Sequence, residues 1–206
     1  NGDAAFWDKL QQTGYETVSP EVFAKMADTQ TPQGILTVLE QPVYELTQLL
    51  EQPDPLFLML ENLQDPGNLG TMIRTGEGAG ITGVIMNNQT VDIFNPKTIR
   101  ATMGSIFRVP FVYVPDLAPV LKQMHAKGIH TYAAHLKGQE YYDSFSFREP
   151  TAFLIGNEGN GLSKEISDQA GQYLKIPMEG RVESLNASIA AALLMYEAHR
   201  QRSARL

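Results

Sequence analysis

The chain has 206 residues, no cysteine, 43% hydrophobic residues and a formal charge of −7. That length suits one full domain plus a smaller piece, and the lack of cysteine excludes disulfides, thiolate catalysis and cysteine zinc sites. The acidic balance counts against nucleic-acid binding without excluding it, because local clusters matter more than totals.

No run is apolar enough for a membrane helix and no secretory signal is visible, so the expected compartment is the cytoplasm. The first residue is Asn1 rather than Met, which suggests a native N-terminus further upstream. Residues 1–42 read as the C-terminal remnant of a preceding domain, too short to bury a core. Within them Ser19-Pro20-Glu21 opens a capped short helix. Thr31-Pro32-Gln33-Gly34 is a turn, and 35–39 reads as a short strand. Residues 43–54, in a proline-rich stretch, form a linker with one or two helical turns.

From Leu56 the pattern alternates. Strands are predicted over 56–60, 83–86, 109–114, 130–134, 152–155 and 173–176, with helices over 69–80, 96–103, 117–127, 164–169 and 185–200. Alternation of this kind predicts an α/β fold, a mostly parallel sheet flanked by helices, over 55–206. Arg100, Arg108, Arg181, Arg200, Arg202 and Arg205 are candidates for a basic patch.

Three strand-to-helix junctions hold polar residues where an open α/β sheet presents its ligands. In the first, Asp65-Pro66-Gly67-Asn68 is a strong turn signal, and Asp65 or Asn68 would cap the helix that carries Arg74. The bland alternative is a capped helix with a surface arginine. In the second, strand residues Phe153-Leu154-Ile155 open into Gly156-Asn157-Glu158-Gly159-Asn160-Gly161, with Ser163 capping the next helix. The glycines alone fit a tight turn or a dinucleotide loop, but Glu158 would lie where a pyrophosphate belongs. In the third, Ile176-Pro177-Met178 ends a strand, Glu179-Gly180-Arg181 turns, and Ser184 is the expected N-cap of an apolar helix. On that reading Asn186 adds nothing as a cap. His125, His130, His135 and His199 show no metal-site spacing. Lys137-Gly138 follows a strand end and falls beside the expected cleft.

In this order, the junctions resemble the SpoU (TrmH-like) family of the SPOUT superfamily, S-adenosylmethionine-dependent RNA ribose 2′-O-methyltransferases. The match runs Asn62, Asp65-Pro66, Asn68, Gly70 and Arg74; then Gly156-Asn157-Glu158-Gly159 and Gly161; then Ile176-Pro177-Met178 and Ser184-Leu185-Asn186-Ala187-Ser188. The resemblance covers about 55–202. It implies a C-terminal trefoil knot, a homodimer and no metal. It also implies catalytic roles for Asn68, Arg74, Glu158, Ser184 and Asn186, with Glu158 and Asn68 holding Arg74. Gly156, Ile176 and Leu185 would contact S-adenosylmethionine, with Ala134, Ile155 and Met178 as neighbours. The RNA expected first is 23S ribosomal RNA, because 1–42 looks like the end of a substrate-binding domain; transfer RNA comes second. The competing readings are a non-catalytic RNA-binding protein of the same fold and a nucleotide-dependent oxidoreductase.

Overall fold

The computed structural model describes residues 4–27 and 29–203. They fall into two compact units, Asn1–Gln41 and Pro42–Leu206. The first unit holds α1 (Ala4–Thr13) and α2 (Pro20–Met26). As its sequence predicts, α2 starts at Ser19, whose Oγ accepts from Val22 N at 3.3 Å, with Pro20 in the first turn. Residues 35–39 form no strand. A strand needs a neighbour for its backbone groups, and here Val38 stands 87% exposed.

The second unit runs α3 (Leu46–Leu50), β1 (Leu56–Leu60), α4 (Pro66–Ala79), β2 (Gly83–Asn87), α5 (Pro96–Thr102), β3 (Phe111–Val114), α6 (Ala118–Ala126) and β4 (His130–Ala134). It continues with β5 (Glu140–Tyr141), β6 (Thr151–Ile155), α7 (Lys164–Gln169), β7 (Gln172–Lys175) and α8 (Ala187–Ser203). The strands form one sheet in the order β3-β2-β1-β6-β4-β7-β5, every pair parallel. All six predicted strands are present. β5 escaped notice because it is two exposed residues at the sheet edge, with no apolar run to announce it.

Every residue of β1, β2 and β6 is buried, because helices cover both faces. On one face Leu58, Leu60 and Phe153 pack with Leu69, Met72 and Ile73 of α4 and Ala191, Leu194 and Met195 of α8. On the other, Phe57, Met59 and Leu154 pack with Leu121 and Met124 of α6, Ile166 of α7, and Leu49 and Leu50 of α3. The linker helix α3 is thus part of this unit's core. α5 lies on α4 at Gly70, where an added Cβ would come 2.7 Å from Thr98 O.

Three of the candidate basic-patch arginines, Arg108, Arg200 and Arg202, are engaged within the chain. Arg202 donates to the carbonyls of Asp54 (2.8 Å), Pro55 (3.3 Å), Phe147 (2.8 Å) and Glu149 (2.7 Å), which ties the end of α8 to the segments entering β1 and β6. Arg108 pairs with Glu77 and Arg200 with Glu197. Arg205 lies outside the described residues. Among the described residues no helix is long and apolar enough to cross a membrane.

Candidate active site

The three polar junctions meet at the C-terminal edge of the sheet. β1, β6, β4 and β7 are adjacent and parallel, so the chain leaves them on one side.

After β1, Asp65 caps α4. Its Oδ1 accepts from Asn68 N at 2.9 Å, and Pro66 occupies the first turn. That hydrogen bond leads the causes holding the Asp65 carboxyl below its ordinary value. With Asp65 as the cap, the Asn68 side chain is free for other partners.

After β6 the chain makes a closed turn. Asn157 and Gly161 exchange backbone hydrogen bonds, Asn157 N to Gly161 O at 3.1 Å and Gly161 N to Asn157 O at 2.8 Å. The Asn157 side chain accepts from Gly159 N (2.9 Å) and Asn160 N (3.0 Å) and donates to Asn62 O (2.9 Å). Gly156 is buried beneath this turn, and a Cβ there would overlap the backbone of Gly161 and Leu162. The turn ends at Ser163, which caps α7 through Ile166 N (3.2 Å) and whose own N–H donates to buried Glu61 (2.7 Å).

Glu158 projects from this turn onto the segment entering α4. Its Oε1 accepts from Asp65 N (2.9 Å) and Asn68 Nδ2 (3.1 Å), and its Oε2 from Gln64 N (3.1 Å). Partial burial pushes the carboxyl pKa up, but hydrogen bonds from Asp65, Asn68 and Gln64 outweigh it and leave the pKa lowered. Glu158 is therefore an anion at neutral pH. It occupies amides that a pyrophosphate would otherwise use, which removes the physical basis of the dinucleotide reading.

After β7, residues 176–186 run without regular structure into α8. Asn186 caps α8, not Ser184: its Oδ1 accepts from Ser188 N (2.8 Å), Ser188 Oγ (2.7 Å) and Ile189 N (3.4 Å). Sequence pattern favoured Ser184 because serine is a strong cap, yet asparagine is equally good there. The Asn186 amide group is left to donate to Asn68 Oδ1 at 3.0 Å.

A continuous hydrogen-bonded line results, Glu158 to Asn68 to Asn186, one residue from each junction, spanning 118 positions of sequence between Asn68 and Asn186. A model of the SpoU rRNA methylase family matches residues 55–196, which contain all three junctions. The chain belongs to that family. A tRNA/rRNA methyltransferase of Synechocystis, itself uncharacterised, is 37% identical over 188 residues, which is 90% of this chain and 67% of that protein. The 23S rRNA (guanosine(2553)-2′-O)-methyltransferase RlmP of Bacillus subtilis is 35% identical over 179 residues, 87% of this chain and 70% of its own. The SpoU methyltransferase AviRb of Streptomyces viridochromogenes, solved with AdoMet, superposes with a TM-score of 0.86 at 30% identity, covering 95% of this chain and 77% of that one.

The other SpoU motif residues lie around this line. Ala134, Ile155 and Ile176 sit at or just past the ends of β4, β6 and β7, with Met178 and Leu185 on the segment that follows. Gly138 approaches the β7 backbone closely, so that a Cβ would come 2.9 Å from the Leu174 carbonyl carbon. Arg74 and Ser184 are not drawn in. Both are exposed, and neither side chain makes a hydrogen bond or ion pair among the described residues. Glu158 and Asn68 hold each other and Asn186 rather than Arg74.

Sequence reasoning passed over Asn87. It is buried, donates to Asn62 Oδ1 (2.8 Å) and accepts from Asn62 N (2.9 Å) and Thr90 Oγ1 (2.9 Å). It holds Asn62 at a left-handed φ of 55°. The available signal was a lone amide ending the apolar strand Gly-Val-Ile-Met-Asn.

Glu158→Gln puts an amide N–H₂ among three N–H donors. Loss of about 1–2 kcal/mol is expected, read as a fall in melting temperature of roughly 2–4 °C per kcal/mol, together with reduced turnover. The native carboxyl pKa is lowered, so its contribution is present above the unfolded pKa and lost as pH falls through the folded one. The variant's deficit should therefore shrink in acid; a deficit that is constant with pH would contradict this role.

Proposed function

We propose that this chain is an S-adenosylmethionine-dependent RNA methyltransferase acting on a ribose 2′-hydroxyl, with 23S ribosomal RNA as substrate. The observation behind it is the Glu158–Asn68–Asn186 line beside the Gly156 turn. The site suits this cofactor. Gly156 lets the Gly161–Leu162 backbone close over it and so shapes the turn at the cleft, and Ala134, Ile155, Ile176, Met178 and Leu185 offer apolar side chains and backbone groups for an adenine ring. S-adenosylmethionine supplies an electrophilic methyl group on a sulfonium.

The protein has to orient the 2′-hydroxyl and stabilise charge on its oxygen as the proton leaves. Glu158 accepts three hydrogen bonds from the α4 entry and serves to fix Asn68. Asn68 in turn orients Asn186. Arg74, unpaired among the described residues, meets an RNA phosphate and the developing oxyanion, and Ser184 and Asn186 position the ribose. Arginine does not act as a free base, since its pKa exceeds ~12.

The choice of 23S RNA rests on the name of the Bacillus relative, and residues 1–42 fit the end of an RNA-binding domain. Transfer RNA is the second substrate. We also assign a cytoplasmic location, a trefoil knot near the C-terminus and a homodimer. Supporting the dimer, α8 exposes Ile189 (49%), Leu193 (37%) and Tyr196 (48%) along a groove of about 380 Å³ that Tyr142 completes.

The test is transfer of a labelled methyl group from S-adenosylmethionine to 23S rRNA and tRNA transcripts, followed by alkaline digestion. A 2′-O-methyl group blocks attack on the adjacent phosphate, so label in alkali-resistant dinucleotides of 23S RNA is expected. Label only in tRNA would move the substrate. Cofactor binding with no transfer to either RNA would favour the non-catalytic reading.

A further inference from the structure

Past the end of α5, in the segment that Arg108 ties to Glu77 of α4, the surface carries two large apolar side chains that neither core takes up. Met103 is 69% exposed and Phe107 61%. They flank the reversal between α5 and the 3-10 turn Ser105–Phe107. Two consecutive residues of that reversal are left-handed, Met103 at φ 50° and Gly104 at φ 87°. A methionine in that region is strained, and such strain persists only where the surroundings enforce it.

Those surroundings are explicit. Glu77 accepts from Arg108 Nε and, at 2.9 Å, from Arg108 Nη2. The Ser105 hydroxyl also hydrogen-bonds Glu77; the Arg108 contact, then Ser105, hold that carboxyl down to about 2. The Arg108 guanidinium lies against Gly104, 3.7 Å from where a Cβ would stand. Glu77 is three residues beyond Arg74, close to one turn of α4. The reversal is therefore fastened about one helical turn from the residue assigned to catalysis.

Charge indicates what this surface meets. The chain carries −7 overall, yet the packed helices α4 and α5 carry Arg74, Lys97 and Arg100, with Arg108 just beyond; Lys97 pairs with Asp65 and Arg108 with Glu77. Arg74 and Arg100 have no ion-pair partner among the described residues. A second copy of the same surface would be repelled. A polyanion with flat apolar faces is complementary: its phosphates meet the arginines, and unstacked bases lie on aromatic and thioether groups.

We propose that the Met103–Arg108 reversal is a platform for single-stranded substrate RNA, with Phe107 and Met103 stacking an unpaired base near the target nucleotide and Arg100 taking a backbone phosphate. This rests on the RNA methyltransferase reading above.

The test uses Met103→Gly, Phe107→Ala and the double variant. Glycine suits the left-handed φ at 103, so Met103→Gly should melt no lower than the wild type. Binding of a fluorescent, unstructured RNA oligonucleotide of mixed sequence is followed by anisotropy, S-adenosylmethionine binding by calorimetry, and assembly by sedimentation. The double variant is expected to weaken RNA binding about tenfold or more, with cofactor affinity and sedimentation unchanged. Unchanged RNA affinity overturns the proposal, as does a wild type that fails to bind the oligonucleotide. Altered sedimentation also overturns it, by showing that the surface joins two copies. Failure of the wild type to bind S-adenosylmethionine would instead remove the reading beneath it.

Discussion

Arg74→Ala is expected to cut methyl transfer by roughly 10²- to 10³-fold, the scale of losing one preorganised donor to a developing oxyanion, while leaving affinity for S-adenosylmethionine within about twofold of the wild type. Arg74 stands in the third turn of α4, exposed and unpaired among the described residues, six positions beyond Asn68. Among the described residues no carboxylate pairs with it, which leaves its charge to RNA. On the proposed reading its final placement comes from the substrate, with an RNA phosphate supplying the order that Glu158, engaged with Gln64, Asp65 and Asn68, does not. Arg74→Lys should recover little, since an ammonium cannot bridge a phosphate and the 2′-oxygen as a planar fork does. Single-turnover transfer alongside a cofactor titration separates the two steps. Near-normal transfer by Arg74→Ala would contradict its assignment.

Gly156→Ala is expected to weaken cofactor binding severely, raising the Kd by roughly 5- to 150-fold. The new methyl group meets the backbone of Gly161 and Leu162. A side chain could swing aside, but backbone closed on itself by the Asn157–Gly161 bridge cannot. The turn has to open, at the roughly 1–3 kcal/mol typical of overpacking. Opening also moves Glu158, and with it Asn68 and Asn186. The position lies at the rim of the sheet, so circular dichroism should stay native. A variant that binds S-adenosylmethionine normally would show that the turn does not form the cleft.

The fold was legible because helix-covered strands read as unbroken apolar runs. Leu56–Leu60 and Thr151–Ile155 announced themselves, as did the caps Ser19 and Ser163, whereas Asp65 and Asn68 were both open as the cap of α4 and the structure selects Asp65. Residues 35–39 look like a strand in composition but have no partner, and β5 has a partner but no apolar pattern. Pairing is a tertiary property that local sequence does not encode. At the site, residue types and order identified the three junctions. What they concealed was which atoms would join: Ser184 and Asn186 are both good caps, and only the path of 176–186 decides for Asn186. Glu158 between two glycines was recognisable as unusual. That it binds the entrance of α4, 90 positions away at Asn68, was not. Likewise, nothing local marks Asn87 as the support of Asn62.

Calorimetric titration of the chain with S-adenosylmethionine, with NAD as the control ligand and Gly156→Ala as the control protein, bears most directly on the central claim. The account predicts saturable one-site binding of S-adenosylmethionine, none of NAD, and markedly weaker binding in Gly156→Ala. A folded wild type that takes up no S-adenosylmethionine, or prefers NAD, would contradict the claim that the Gly156 turn and the Glu158–Asn68–Asn186 line form a methyl-transfer site.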